Sequence, residues 1–427
     1  MTSSARPEAP ALDAAAREAL GSACADVRDA DPADHVDGVA PLVVARPGDT
    51  EQVAGTMRAA AAHGLRVVPR GAGTKSTWGL PPAGVDVLLD LGGLDEVVDH
   101  AAGDLIVQAR AGTPLACVQE TVAGERQRLT VDETVAGATI GGMLATNASG
   151  ARRTAVGTAR DLLIGVTMVR HDGVVAKAGG RVVKNVAGYD LGKLLIGSMG
   201  TLGVVVDATF RLHPLPAASR WVTARAADPA GALALAQAAV HSQVVPAAVE
   251  VGWAGGAGAV SVLLEGRESG VQGRVDELSA ILGPLAGDVG VSEDAPAGGA
   301  TYPWDPTARG DDRAVALKVT FGLSGLADVL GALAGTPAEV RGSAGSGVVY
   351  VALPSATGVD EVATVLTRLR RASAEHGGAT TVVDAPAAVK DAVDVWGPVP
   401  AIALMRRVKD QFDPERRLAP GRFVGGI

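Results

Sequence analysis

The sequence predicts an α+β protein of two domains, the second built on one antiparallel sheet. Three observations predict it. The chain has 427 residues, 47% of them hydrophobic, enough for two or three cores rather than one small domain. Between residues 38 and 213, apolar strands and amphipathic helices follow one another without a regular strand–helix alternation. From residue 216 onward a strand–helix–strand–strand–helix order occurs twice. Two such units side by side make one antiparallel sheet with helices on one face.

The elements follow in order. Residues 1–37 are rich in Ala and Asp, weakly patterned, and are set apart as an N-terminal segment. Residues 42–45 form a short apolar strand. Asp49 then offers a helix N-cap with Gln52 three residues on. Val53, Met57, Ala60 and Ala61 repeat at helical spacing, and Gly64 ends the helix. Strands at 65–69 and 85–90 complete a β-α-β start. Strands at 96–100 and 105–109, a helix over 114–123 and a hairpin of 162–170 with 174–178 come next, then a long β-rich run at 202–212. Leu212-His213-Pro214-Leu215-Pro216 marks a boundary, because two prolines follow a strong strand. The first domain is thus 38–215, in two halves dividing near 92. The second is 216–385, with the helices of its two units at 229–241, 271–282, 326–334 and 359–376, and a final strand at 380–384. Between the units, 293–312 is rich in Gly, Pro and Asp and reads as a long surface loop. Residues 386–427 return to helix until Asp413-Pro414 ends it.

Composition excludes several classes. The net charge is −9, which argues against a general nucleic-acid binder. Cys24 and Cys117 are the only cysteines, too few for a disulfide framework, a Cys-based zinc site or an iron–sulfur cluster. The N-terminus lacks the apolar core of a signal peptide, and the candidate uncharged span, 251–264, is too short to cross a membrane. A cytoplasmic protein is expected, with a peripheral place on the inner face of the membrane open through partners. Glycine is the odd feature. The 56 glycines are roughly twice the usual share of about 7%, without the strict repeat of collagen.

The glycines gather in three clusters. Arg70-Gly71-Ala72-Gly73-Thr74-Lys75-Ser76 leaves the strand at 65–69. Bare backbone there lets several N–H groups approach a phosphate, which any Cβ would hold off. A dinucleotide fingerprint would need glycine where Ser76 stands and a helix that Pro81-Pro82 forbid. A nucleoside-triphosphate loop would need Gly directly before Lys75, where Thr74 stands. The second cluster, 139–150 from Thr139-Ile140-Gly141-Gly142 to Asn147-Ala148-Ser149-Gly150, is almost wholly small residues, suited to close contact with a flat, polar ring system. The third is Lys184-Asn185-Val186-Ala187-Gly188-Tyr189-Asp190-Leu191 followed by 197–205, which ends on Val204 and Val205.

These clusters, in this order, resemble the FAD-binding domain of the p-cresol methylhydroxylase/vanillyl-alcohol oxidase superfamily (PCMH-type). The 180–191 string is most similar to the FAD-binding subunits of bacterial glycolate oxidases. Leu418-Ala419-Pro420-Gly421-Arg422 resembles the family's closing Asn-Pro-Gly-Lys/Arg signature, with Ala419 where Asn is usual. The resemblance implies a two-subdomain FAD-binding domain with a ferredoxin-like cap. By position it implies that Arg70, Gly71, Ala72, Gly73, Thr74 and Lys75 cradle the pyrophosphate. Thr139, Ile140, Gly141, Gly142, Asn147 and Gly150 would lie along the flavin and its ribityl chain, and Val204 or Val205 would meet the adenine end. With no His or Cys in the first loop, the FAD is expected to be noncovalent. The implied activity is an FAD-linked oxidoreductase acting on CH–OH groups of a 2-hydroxy acid, alongside a larger flavin subunit and an iron–sulfur subunit. A stand-alone FAD-linked oxidase or dehydrogenase of another alcohol or hydroxy acid, and a non-catalytic FAD-binding scaffold subunit, are the alternatives.

Catalytic side chains are harder to find. The seven histidines form no short metal motif, and no metal site is expected. His213 stands at the domain junction, and His376 ends a helix before Gly377. Arg152 and Arg153 follow the second cluster, where they suit either a substrate carboxylate or the solvated surface.

Overall fold

A computed structural model describes residues 12–181, 190–299 and 301–427. The 182–189 part of the third cluster, Tyr189 included, lies outside the described residues.

Two larger sheets build the first domain, beside a short pairing of Gln127–Arg128 with His213–Pro214. Strands Val27–Asp29 (β1), Val43–Ala45 (β2), Val67–Arg70 (β3) and Val87–Asp90 (β4) lie in the order β1-β2-β4-β3, with β2, β4 and β3 parallel. The Thr50–Ala62 helix carries the chain from β2 to β3. The Asp49 carboxylate caps it, accepting from the Gln52 N–H at 2.8 Å. Strands Val97–Ala101 (β5), Ile106–Arg110 (β6), Leu163–Val169 (β7), Val175–Gly179 (β8) and Val204–Arg211 (β9) form an antiparallel sheet in the order β5-β6-β9-β7-β8. One core joins both sheets. Met57, Val67, Leu89, Val107, Phe210 and Leu418 all belong to it.

The 1–37 segment is better built than its weak pattern suggests. It holds the Ala14–Ala23 helix and β1, which pairs antiparallel with β2. Alanine-rich helices bury little area per residue, so their apolar face is faint in the sequence.

Eight strands form the second domain's sheet: Ala218–Ala226 (β10), Ala248–Ala254 (β11), Ala257–Gly266 (β12), Val289–Ser292 (β13), Val315–Thr320 (β14), Glu339–Ser343 (β15), Val348–Leu353 (β16) and Thr380–Asp384 (β17). Their order is β13-β10-β12-β11-β15-β16-β14-β17, antiparallel throughout. Each half is a βαββαβ unit, and the halves meet where β11 pairs with β15. The sequence did not predict β13, because it is short and mostly exposed.

The sheet has two faces, and side chains alternate between them. Val222, Val249, Val262 and Val351 pack against the helices. Trp221, Ala248 and Leu263 face the first domain at Ala151. Ala316, Tyr350 and Ala352 meet Trp78 and Val135. The 293–312 segment is not a bare surface loop: Tyr302 and Trp304 are buried in that same interface. Their rings stack with centroids 4.6 Å apart, a burial that Gly, Pro and Asp on either side concealed.

The C-terminal return is two helices, Ala387–Ala392 and Ile402–Phe412, parted by residues 393–401. After them Leu418 bridges Val67 in parallel, which brings Arg422 back to the first glycine loop.

Candidate functional site

The Arg70–Ser76 loop begins where β3 ends. Arg70 does not reach outward: its guanidinium pairs with Asp34 and Asp90, each at 3.1 Å, and fixes the base of the loop. Gly73 turns the chain at φ +72°, in the left-handed region, and Ser76 N–H donates to its carbonyl at 3.2 Å. Gly71 lies against Thr139. A Cβ there would come within 2.1 Å of Thr139 Oγ1.

Thr139 caps the short Ile140–Thr146 helix, its hydroxyl accepting from Gly142 N–H at 3.3 Å. Two main-chain bonds dock this helix on the second sheet: Ile140 N–H to Thr113 O at 2.9 Å and Gly141 N–H to Ala111 O at 2.7 Å. Asn147 ends the helix at φ +49°. From there Gly197 N–H and Met199 N–H donate to the Leu144 and Ala145 carbonyls, each at 2.9 Å. The three clusters, far apart in sequence, thus converge.

They line one open cleft. Of the residues singled out in the sequence, Arg70, Gly71, Ala72, Gly73, Thr74, Lys75, Thr139, Gly141, Gly142 and Val205 line it. Ile140 and Val204 are wholly buried in the core instead, Asn147 stands beyond the lining, and Gly150 lines a neighbouring cavity. The structure adds Ala145, Thr146, Ser198, Met199, Gly200 and Arg422 to the walls. The small residues among them lay inside or beside the flagged clusters, and Arg422 in the closing signature.

Two cations face this cleft without a carboxylate bonded to either. Lys75 is 7% exposed, and its Nζ has no hydrogen-bond partner among the described residues. It stands 5.8 Å from the centre of the Trp78 ring. Burial pushes its pKa down to about 8, against a small upward pull from Glu133. Arg422 donates to the carbonyl oxygens of Ser76 and Trp78 at 2.7 and 2.8 Å. Burial pushes it down to about 10. Buried, underpaired cations beside a bare-backbone loop fit the two phosphates of a dinucleotide. The lining contains neither His nor Cys.

A smaller, tighter cavity lies between residues 149–153 and the inner face of the cap sheet. Tyr302 belongs to its wall and meets the Trp78 ring edge-on at 5.5 Å, so one aromatic layer links it to Lys75. Arg153 and Glu250 line it. The histidines flagged at the boundaries line neither space. His213 Nδ1 bonds Thr130 Oγ1 at 3.0 Å, and burial with Arg211 and Arg128 lowers its pKa. His376 Nε2 bonds Asp328 at 2.7 Å. Among the described residues no group of three His, Cys, Asp or Glu side chains is placed to hold a metal ion, and no helix is long and apolar enough to cross a membrane.

Comparison with known proteins agrees with this geometry. Residues 41–179 match the FAD binding domain family. The chain is 37% identical over 177 residues to a D-2-hydroxyglutarate dehydrogenase of Xanthomonas citri pv. viticola, covering 41% of this chain and 38% of that protein. It is 36% identical over 157 residues to the glycolate oxidase subunit GlcE of Escherichia coli, covering 36% and 44%. These alignments span about two fifths of each relative's length. Among solved structures, 4-ethylphenol oxidase from Gulosibacter chungangensis overlays with a TM-score of 0.73 at 14% identity, covering 95% of this chain and 96% of that one. An alkyldihydroxyacetonephosphate synthase overlays at 0.72 with 15% identity, covering 98% and 87%. Residues 41–179 are thus similar to this FAD binding domain, and the chain as a whole shares the fold of these two solved structures.

Proposed function

We propose that the protein is an FAD-dependent oxidoreductase of a 2-hydroxy acid, and that it works as the FAD-binding subunit of a glycolate- or lactate-type oxidising complex. The observation that carries the reading is the partnerless ammonium of Lys75, buried in a cleft whose floor is bare glycine backbone. FAD supplies an acceptor for the two electrons removed from the substrate carbon. The protein's own residues hold and orient it. Lys75 and the 71–74 backbone take the pyrophosphate, Arg422 holds the far end of that loop through the Ser76 and Trp78 carbonyls while facing the cleft, and Gly141, Gly142 and Thr139 bound the cofactor's middle. The absence of His and Cys from the lining supports noncovalent attachment.

The substrate class follows the matched relatives, whose names include D-2-hydroxyglutarate dehydrogenase, D-lactate dehydrogenase and glycolate oxidase subunits. A larger flavin subunit and an iron–sulfur subunit are the proposed partners. They would place the chain at the inner face of the membrane without a span of its own.

The purified chain is expected to be yellow and to release free FAD on acid denaturation. Its flavin is expected to bleach anaerobically with D-lactate, glycolate or D-2-hydroxyglutarate. A colourless protein that takes up no FAD overturns the reading. Turnover by the lone chain with an acceptor dye points instead to a stand-alone enzyme. Bound FAD that no donor reduces, even with the partners present, leaves a scaffold.

A further inference from the structure

The two arginines after the second glycine cluster part company in the structure. Arg152 is engaged: its guanidinium lies between Asp132 and Glu265, and neither arginine is a solvated surface group. Arg153 lines the smaller cavity beside the cap sheet. Its bonds go to the carbonyl oxygens of Ser149 and Gly150, and among the described residues it forms no ion pair with a carboxylate.

On the cap side of the cavity stands Glu250, on β11. It is 8% exposed, and its Oε1 has no hydrogen-bond partner. The other polar groups of the wall are satisfied. Arg341 is paired with Glu339, the Tyr302 hydroxyl accepts from Thr134 at 3.1 Å, and Ser343 bonds Thr154 at 2.9 Å. Two groups are left over. A buried carboxyl oxygen without a partner is costly, even with Ser343 bonded to the same group, and an arginine fork without an anion is a ready carboxylate clamp. A ligand that satisfies both carries a carboxylate and a hydroxyl on one small frame.

We propose that this cavity is the acid-binding subsite, in which Arg153 takes the carboxylate of a small 2-hydroxy acid and Glu250 Oε1 accepts the hydrogen bond of its hydroxyl. The proposal rests on the hydroxy-acid reading above and supplies the specificity residues which that reading lacks. The charges around Glu250 set its pH behaviour. Asp132 and Arg153 face it from the first domain, Arg341 and Tyr350 from the cap sheet, and Tyr302 from the 293–312 segment. Burial, reinforced by Asp132, pushes Glu250 up to about 8 in spite of Ser343 and Arg153. At neutral pH it is therefore largely uncharged and does not repel a carboxylate held on Arg153. Above about pH 8 it ionises, and acid binding weakens.

The test uses FAD-loaded protein and two inert acids followed by calorimetry. 2-Hydroxyisobutyrate carries both groups but no hydrogen on the hydroxyl-bearing carbon, so it cannot be oxidised. Isobutyrate lacks the hydroxyl. The hydroxylated acid is expected to bind more tightly at pH 7 and to weaken above pH 8. Arg153→Gln is expected to weaken both acids by about ten-fold or more. Arg153→Lys, which keeps the charge and loses the fork, is expected to weaken them by less, and it decides the matter if the glutamine variant does not fold. Glu250→Met is expected to erase the preference for the hydroxylated acid. Glu250→Gln is expected to keep the preference and lose the pH dependence. Wild-type protein that binds neither acid, Arg153 variants that bind as tightly as wild type, or a Glu250→Met protein that still prefers the hydroxyl would each overturn the site. Bleaching of the flavin by D-lactate in any of those cases leaves the broader function standing. Loss of bleaching as well takes both down.

Discussion

Burying Lys75 strips its ammonium of water, and no protein group replaces that hydration. Its pKa is held near 8 rather than 10.5, so between those values the unfolded chain holds a proton that the folded one lacks. Stability of the FAD-free protein therefore rises with pH across that window. A bound pyrophosphate reverses the preference. FAD affinity is expected to be level below about pH 8 and to fall above it, as measured by fluorescence titration of the FAD-free protein. Lys75→Glu is expected to abolish FAD loading, and Lys75→Met to weaken it while stabilising the empty fold in urea. Glu250 has the opposite sign. Its pKa is raised from 4.5 to about 8, so the folded state keeps a proton that the unfolded chain loses. The stability this gives at low pH disappears as pH climbs through that window. At pH 7 the cost is about 3 kcal/mol. Glu250→Gln is expected to recover much of it in urea unfolding, and to show no gain below pH 4.

At the scale of elements, the cleft depends on a close approach between the first glycine loop and the cap of the Ile140–Thr146 helix. Gly71→Ala would drive a methyl into the Thr139 hydroxyl and part these elements. The expected result is loss of bound FAD, read at 450 nm, with unfolding in urea nearly unchanged. Thr139→Val keeps the shape and removes the cap, at a cost of about 1 kcal/mol. The loop and the small-residue helix were legible in the sequence because their composition is so unlike that of a core element. So was the Asp49 cap. The meeting of the clusters was not, since it rests on main-chain bonds such as Met199 N–H to Ala145 O, which leave no mark on side-chain pattern. Ile140 and Val204 show the limit of reading a motif by position. Each sits in the right segment, but the helix and strand periodicities turn them into the core. Arg153 could not be told from Arg152 in sequence, because adjacent helical residues face different neighbours and only the fold supplies Asp132 and Glu265 to one of them.

Across the whole molecule, the last thirty or so residues hold the first domain closed. Lys409 is fully buried, and its Nζ reaches Asp413 and Thr201 O at 2.7 Å and Leu418 O at 3.0 Å. Thr201 belongs to the segment that walls the cleft. Removing one partner strands the other charge, so Asp413→Ala is expected to cost about 3–5 kcal/mol in chemical unfolding, with loss of FAD in the same transition. A second clamp joins the domains, where Arg313 and Lys390 share Asp37 and Asp384. The pairing of β11 with β15 continues the sheet from one cap unit into the other, with Glu250 opposite Ser343, over a core that both units share. The walls of the smaller cavity are divided across that join, with Glu250 from the first unit and Arg341 and Tyr350 from the second, facing Arg153 of the first domain. A chain cut within 293–312 would thus yield two pieces, each with a bare strand edge and neither with a complete pocket. Mixed together, they should find each other through those edges, and recovery of acid binding in the mixture would report the rejoining of the sheet.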